Sequence, residues 1–211
     1  MKKERNHVKY VSSGGFPVPG TTTILQLLNK PALVAWAWRL GTEGKDYRAV
    51  SGNACDVGTV THILCECDMK GETAVLNEYS TPIVERAQKA FGAFQEFRKV
   101  NHVLPIKNEM QLISEEYLYG GTIDAYCELN GHKTLLDFKT GGYYPEHRLQ
   151  MAAYRNLLIE NGHPVEKVHL LQIDKTTGEF SDHVIGDLDK EWEMFKLLRK
   201  VYDLKQAIWK D

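Results

Sequence analysis

The stretch Gly120–Thr140, GGTIDAYCELNGHKTLLDFKT, decides how the rest of the chain is read. Asn130-Gly131 is the strongest short hairpin signal, because both central residues of a type I′ loop need positive φ. A loop there pairs Leu129 with His132, and counting outward sets Glu128 against Lys133 and Asp124 against Asp137. Side chains alternate between the two faces of a strand. Ile123, Ala125, Cys127, Leu129, Thr134, Leu136 and Phe138 therefore share a core face, and Asp124, Tyr126, Glu128, Lys133, Leu135, Asp137 and Lys139 share the other. Glu128 opposite Lys133 is favourable, whereas like charges opposite each other at about 5 Å are destabilising. A divalent cation between Asp124 and Asp137 removes that repulsion, and hard carboxylate oxygens suit Mg²⁺ or Mn²⁺. Lys139 points into the same space, placed to steady an anionic phosphate or an attacking water. One such charge alone reads as solvated surface; three on one face read as a site.

The flanking segments supply helices and further strands. Residues 1–20 read as an irregular, basic N-terminal segment with Lys2, Lys3, Arg5 and Lys9, broken by Gly14, Gly15, Pro17, Pro19 and Gly20. A short helix is expected from Thr21–Thr23 to Asn29, and a second from Pro31 with Leu33, Trp36 and Leu40. Residues 41–53 read as a loop or weakened helix end. Helices follow near 57–69 and from Pro82 to about Val100. Beyond the hairpin come a helix near 146–161, strands at Val165–Asp174 and Glu179–Ile185, and a last helix near 187–209. Its stripe is Leu188, Trp192, Phe195, Leu198, Tyr202 and Ile208. Trp36, Trp38, Trp192 and Trp209 read as core or helix-interface residues. The order implies one α/β domain over residues 1–211, a mixed central sheet flanked by helices.

Composition limits the function. Twenty-six Lys and Arg against 28 Asp and Glu, a net of −2, exclude a protein that coats a polyanion by bulk charge, though not a local basic groove. No apolar run approaches the roughly 20 residues of a membrane span. No apolar stretch follows the basic start, and the four cysteines, Cys55, Cys65, Cys67 and Cys127, form no CxxC pair. A cytoplasmic protein with reduced, mostly buried thiols and no membrane partner is expected.

Asp124 followed by Asp137-Phe138-Lys139 resembles the signature of the PD-(D/E)xK nuclease superfamily, and within it the RecB-like exonucleases, including phage-encoded members and the mitochondrial genome-maintenance type. GTVTH, Gly58 to His62, is similar to that family's helical G-x-x-x-H. Glu109 stands where an upstream Glu is found. QMAAY, Gln150 to Tyr154, resembles its Q-x-x-x-Y motif. TTTILQLLNKPALVAWA, from Thr21, looks like the opening of phage versions. A lone D-x-K is weak; the ordered set is strong, and it spans Thr21 to Tyr154.

The resemblance implies a restriction-endonuclease-like core and a metal-dependent DNA exonuclease acting on ends or single strands. His62, Asp124, Asp137 and the Phe138 carbonyl would hold one or two Mg²⁺ or Mn²⁺ ions. Lys139, Gln150 and Glu109 would serve the chemistry. Tyr143, Tyr144, Arg148 and Tyr154 would contact DNA, the loop tyrosines by stacking on unpaired bases and Arg148 near a helix N-terminus that suits phosphate. Tyr154 also reads as core. Some relatives hold an iron–sulfur cluster on cysteines near the C-terminus; the last cysteine here is Cys127, so no cluster is expected. Two other readings stand beside this one: a nicking or structure-specific endonuclease of the same fold, and a catalytically decayed DNA-binding accessory module.

Overall fold

The structure is a computed structural model and describes residues 8–209. Two short strands, β1 (Tyr10–Val11) and β2 (Pro17–Val18), form an antiparallel hairpin where irregular chain was expected. Its turn uses Gly15 at φ +81°. The expected tail residues Lys2, Lys3 and Arg5 lie outside the described residues; Lys9 is exposed. The helix α1 (Thr21–Leu25) ends before the expected Asn29. Pro31 occupies the first turn of α2 (Pro31–Thr42), a position whose missing N–H would have no helical partner anyway. Of that helix's apolar stripe only Leu40 is buried.

Next come α3 (Tyr47–Lys70) and α4 (Thr81–Val100). The start of α3 overturns the loop expected over 41–53. Asp46 caps the helix by accepting from the Arg48 N–H at 2.9 Å, and Gly71 closes it in the left-handed conformation at φ +70°. Those caps, with packing on α4, outweigh the roughly 1 kcal/mol that each interior glycine costs.

The sheet is β3 (Val103–Ser114), β4 (Tyr119–Leu129), β5 (His132–Lys139), β6 (Lys167–Ile173) and β7 (Phe180–Ile185), paired in that order. All neighbours are antiparallel except β5 and β6, which α5 (Pro145–Glu160) connects. The α/β architecture expected from the element order is therefore present: a five-stranded mixed sheet flanked by helices. α6 (Asp189–Ile208) ends the described chain.

Each sheet face carries its own core. On one, Cys65 and Met69 of α3 and Phe94 and Phe97 of α4 cover Ala125, Cys127, Leu129, Leu136 and Phe138. On the other, α1, α5 and Phe195 of α6 cover Tyr126, Leu135, Val168 and Leu170. Fully burying a large apolar side chain contributes about 1.5–3 kcal/mol. Phe138, 2% exposed and edge-on to Phe94 at 5.2 Å, is thus a strong anchor. Fixing it in one core turns Asp137 and Lys139 to the opposite side.

Three further expectations are corrected. Ile123 joins Tyr119, Tyr154 and Leu157 in the second core rather than the Ala125 core. The cause is local: β3 and β4 pair at Asn108↔Ala125 and again at Met110↔Ile123, and between them Glu109 takes a left-handed φ of +48°. Ile208 leaves the inward stripe of α6 and is 68% exposed; Trp38 and Trp209 are also exposed, while Trp192 stacks on Phe195. Of the cysteines, Cys65 and Cys127 are buried, Cys67 is half-buried and Cys55 exposed, all as thiols. No helix among the described residues is long and apolar enough to cross a membrane.

Candidate metal and phosphate site

The hairpin register holds through Leu129↔His132, Glu128↔Lys133, Cys127↔Thr134, Tyr126↔Leu135 and Ala125↔Leu136. Asn130 and Gly131 both have positive φ, as the loop type requires. The ladder then stops, one pair short of the expected Asp124–Asp137 contact. Asp124 instead turns its carboxylate to β5, where Oδ2 accepts the Phe138 N–H at 3.0 Å. A side chain thus replaces the backbone partner that β4 no longer offers. On its other edge β5 stays fully paired, with Asp137↔Leu170, Phe138↔Leu171 and Lys139↔Gln172.

His62 reaches Asp124 from α3, its Nδ1 3.4 Å from Oδ2. Gly58 lies close to the end of β5: a Cβ there would sit 2.8 Å from Thr140 Oγ1, so the Thr140 side chain or α3 would have to move. His62 also meets Phe138 edge-on at 5.9 Å. Glu109 comes from the distorted position in β3. One donor atom from each of His62, Glu109 and Asp124 lies within 4.8 Å of the others, a group that could hold a metal ion. A left-handed φ at a non-glycine residue is uncommon and costs about 1–3 kcal/mol, held here where a carboxylate is presented to the cluster.

Asp137 is set deeper. Its side chain is 1% exposed and its Oδ2 is ion-paired with Lys139 Nζ at 2.5 Å, while Oδ1 is buried with no hydrogen-bond partner among the described residues. Burial, with help from the Asp124 charge, pushes this carboxyl up to about 6, against the opposing pull of Lys139 and His62. Burial works against the charge on Lys139, but the two aspartates together outweigh it and its pKa is raised. Lys139 therefore stays cationic. A buried carboxylate short of partners suits a cation-binding position, since buried charge otherwise has to be paired or hydrogen-bonded.

The remaining expected residues divide. Gln150 is buried and donates from Nε2 to the Tyr154 hydroxyl at 2.8 Å. Burial first, then the charges of Asp137 and Asp124, push that hydroxyl well above its ordinary pKa. Tyr154 is 5% exposed and fills the space left by Gly121, so it supports the site from below and offers no face to a base. Arg148 bonds Glu191 at 2.5 Å and the Asp187 carbonyl at 2.9 Å, tying α5 to α6. Tyr143 packs under the loop, stacked on His183 at 4.4 Å. Tyr144 is 47% exposed and is the loop tyrosine open to a ligand.

Three neighbours stand outside the expected site residues. Tyr10 bonds Thr122 at 2.9 Å, and the Glu109 charge acts on its hydroxyl. His147 is pushed down to about 4, chiefly by burial and then by the Lys139 charge. Gln172 donates to the Gly141 carbonyl at 3.0 Å and meets His183 at 2.9 Å, which pins the chain leaving Lys139. Spacing within β6 and β7 could have suggested the Gln172–His183 pair; nothing in residues 1–20 signals Tyr10.

No protein-family model matches this chain, and no curated protein matches it. Among solved structures, one described as "Crystal structure of SSO0001" is similar over 71% of this chain and 75% of that one, with 16% identity and a TM-score of 0.39. That likeness is too slight to bear on function.

Proposed function

We propose that the protein is a metal-dependent nuclease that hydrolyses phosphodiester bonds in DNA, acting on ends or single strands. The observation that carries the reading is the Asp137 carboxylate: buried, held by Lys139 through Oδ2 alone with Oδ1 unbonded, and close to the charges of Asp124 and His62. A structural aspartate would be satisfied by backbone or side-chain donors. The donor set of one imidazole and carboxylates fits Mg²⁺ or Mn²⁺. His62, Glu109 and Asp124, whose donor atoms lie within 4.8 Å of one another, would hold the ion, with Asp137 and the Phe138 carbonyl as further oxygens. When bound, such an ion acts as a Lewis acid toward the phosphoryl group and a source of nucleophile at neutral pH.

The chain's own residues do the rest. Lys139 keeps its proton, because Asp137 and Asp124 favour the charged form, and presents it where negative charge develops on the phosphoryl oxygens. Asp137 orients Lys139. Gln150 and Tyr154 close the floor of the site with a mutual hydrogen bond. Tyr144 at the mouth offers an open ring on which an unpaired base can stack. The net charge of −2 supports contact with few phosphates, so binding should lose affinity with salt only shallowly.

The test uses end-labelled single- and double-stranded DNA with Mg²⁺, Mn²⁺ or EDTA, and circular single strands in parallel. The expected result is a metal-dependent product ladder from linear substrate, with circles intact. Cutting of circles would show an endonuclease. DNA binding without turnover would show an accessory module.

A further inference from the structure

Helix α6 has two apolar stripes and only one is used by the fold. The inner stripe, Trp192, Phe195, Leu198 and Tyr202, packs on the core that covers the sheet. The outer stripe is Met194, Leu197, Val201, Leu204 and Ile208, respectively 43, 60, 48, 62 and 68% exposed. Its spacing alternates three and four residues, the a/d repeat of a helix built to pack along another helix. Singly exposed apolar residues are ordinary, but a contiguous stripe marks an interaction surface.

We propose that this stripe is the interface of a homodimer in which α6 of a second copy packs antiparallel against it. A repeat of this kind is complementary to itself. In an antiparallel alignment Met194 faces Leu204 of the second copy and Leu197 faces its Val201, each contact occurring twice about the two-fold axis. The flanking charges select the direction. The antiparallel alignment brings Glu191, which already holds Arg148 through Oε1, beside Lys205 of the second copy, twice; a parallel one would set Lys200 beside Lys205. Charges on the far flank are already engaged within the helix, Glu193 with Lys196 at 2.5 Å and Arg199 with Asp203. The like-charge contact of Lys200 with its own copy falls at the rim, where solvent screens it. Covering both stripes removes on the order of 1,000 Å² of surface, the threshold for specific association. The stripe contains none of the residues of the metal and phosphate site, so the inference is independent of the proposed function.

Sedimentation equilibrium of the full chain from micromolar to millimolar concentration tests it. The expected result is a reversible monomer–dimer equilibrium, weakened about a hundredfold or more by Leu197→Glu with Leu204→Glu. Both positions are exposed, so circular dichroism should be unchanged; Leu204→Lys is the milder second variant. Direction is read by disulfide trapping in a Cys55→Ser background. A mixture of Met194→Cys and Leu204→Cys proteins should cross-link as a heterodimer, while Met194→Cys alone should not. A monomer throughout, a dimer indifferent to the charged substitutions, or self-cross-linking of Met194→Cys would each overturn the proposal.

Discussion

The two ends of one hairpin solve the same electrostatic problem in opposite ways. Near the turn, Glu128 and Lys133 face each other and pair at 3.0 Å, partly exposed, in a regular ladder. Thirteen ångströms or so farther on, four residues along the strand, the register calls for Asp124 opposite Asp137. There the ladder opens, one carboxylate takes a backbone N–H, and the other is buried against Lys139 with one oxygen unbonded. The first end is built for stability. The second carries repulsion and desolvation that no folding argument requires, which is the usual mark of a position kept for its chemistry.

The largest break in this contrast should come from the buried end. Asp137→Ala and Lys139→Ala should each lower metal-dependent cleavage by at least about a thousandfold, measured on protein whose circular dichroism is unchanged. The stability effects should diverge. Asp137→Asn should raise the melting temperature of metal-free protein at neutral pH, because it removes a buried charge. Lys139→Ala should lower it by leaving that charge uncompensated. A drop in both would place Asp137 among ordinary structural aspartates.

Gly58→Ala should be next. Its new methyl meets Thr140 Oγ1 at 2.8 Å, so either the Thr140 side chain turns away or α3 shifts and carries His62 from Asp124. A loss of about 1–3 kcal/mol of stability is expected by denaturant unfolding. Adding Thr140→Ala should recover part of it, and a strictly additive double-mutant cycle would show that the two positions do not touch.

Acid titration sharpens the comparison further. Asp137 has a folded pKa of about 6 against an ordinary 3.8, so the folded state holds more protons in that window. Stability of metal-free protein therefore falls as pH rises from 3.8 through 6, by an amount on the order of a few kcal/mol. His147 has the opposite sign. Its folded pKa is about 4 against 6.5, so the unfolded state holds more protons and stability falls as pH drops from 6.5 through 4. Unfolding curves of Asp137→Asn should expose the His147 slope, and those of His147→Gln the Asp137 slope. The smallest effect belongs to the turn end: Glu128→Gln should cost no more than about 1 kcal/mol and leave cleavage unaltered.

How much of this was legible follows the range of each interaction. Asn130-Gly131 and the alternation around it are local, and they fix five register pairs and the sides taken by Asp137 and Lys139. His62 enters only through the resemblance of Gly58 to His62 to a family motif, and the contact of that glycine with Thr140 lies across the fold. Ile123 was misplaced because alternation assumes an unbroken ladder, and the break depends on the backbone of Glu109 in another strand. The early start of α3 was missed because Gly52 reads as a breaker, while the Asp46 cap and tertiary packing decide the outcome. Tyr143 and Arg148 were read as ligand contacts because their partners, His183 and Glu191, come from later elements.

Gly120 has no Cβ because the ring of Tyr10 occupies that place, and the Tyr10 hydroxyl bonds Thr122 across 112 positions of sequence. During synthesis at about 5–20 residues per second, roughly 6–22 s separate the appearance of the two partners. For that interval the N-terminal hairpin has nothing to rest on. Tyr10 and its hairpin are therefore among the last parts to settle, and the flank of the site beside Glu109 is completed only after the strand that carries Asp124 has left the ribosome.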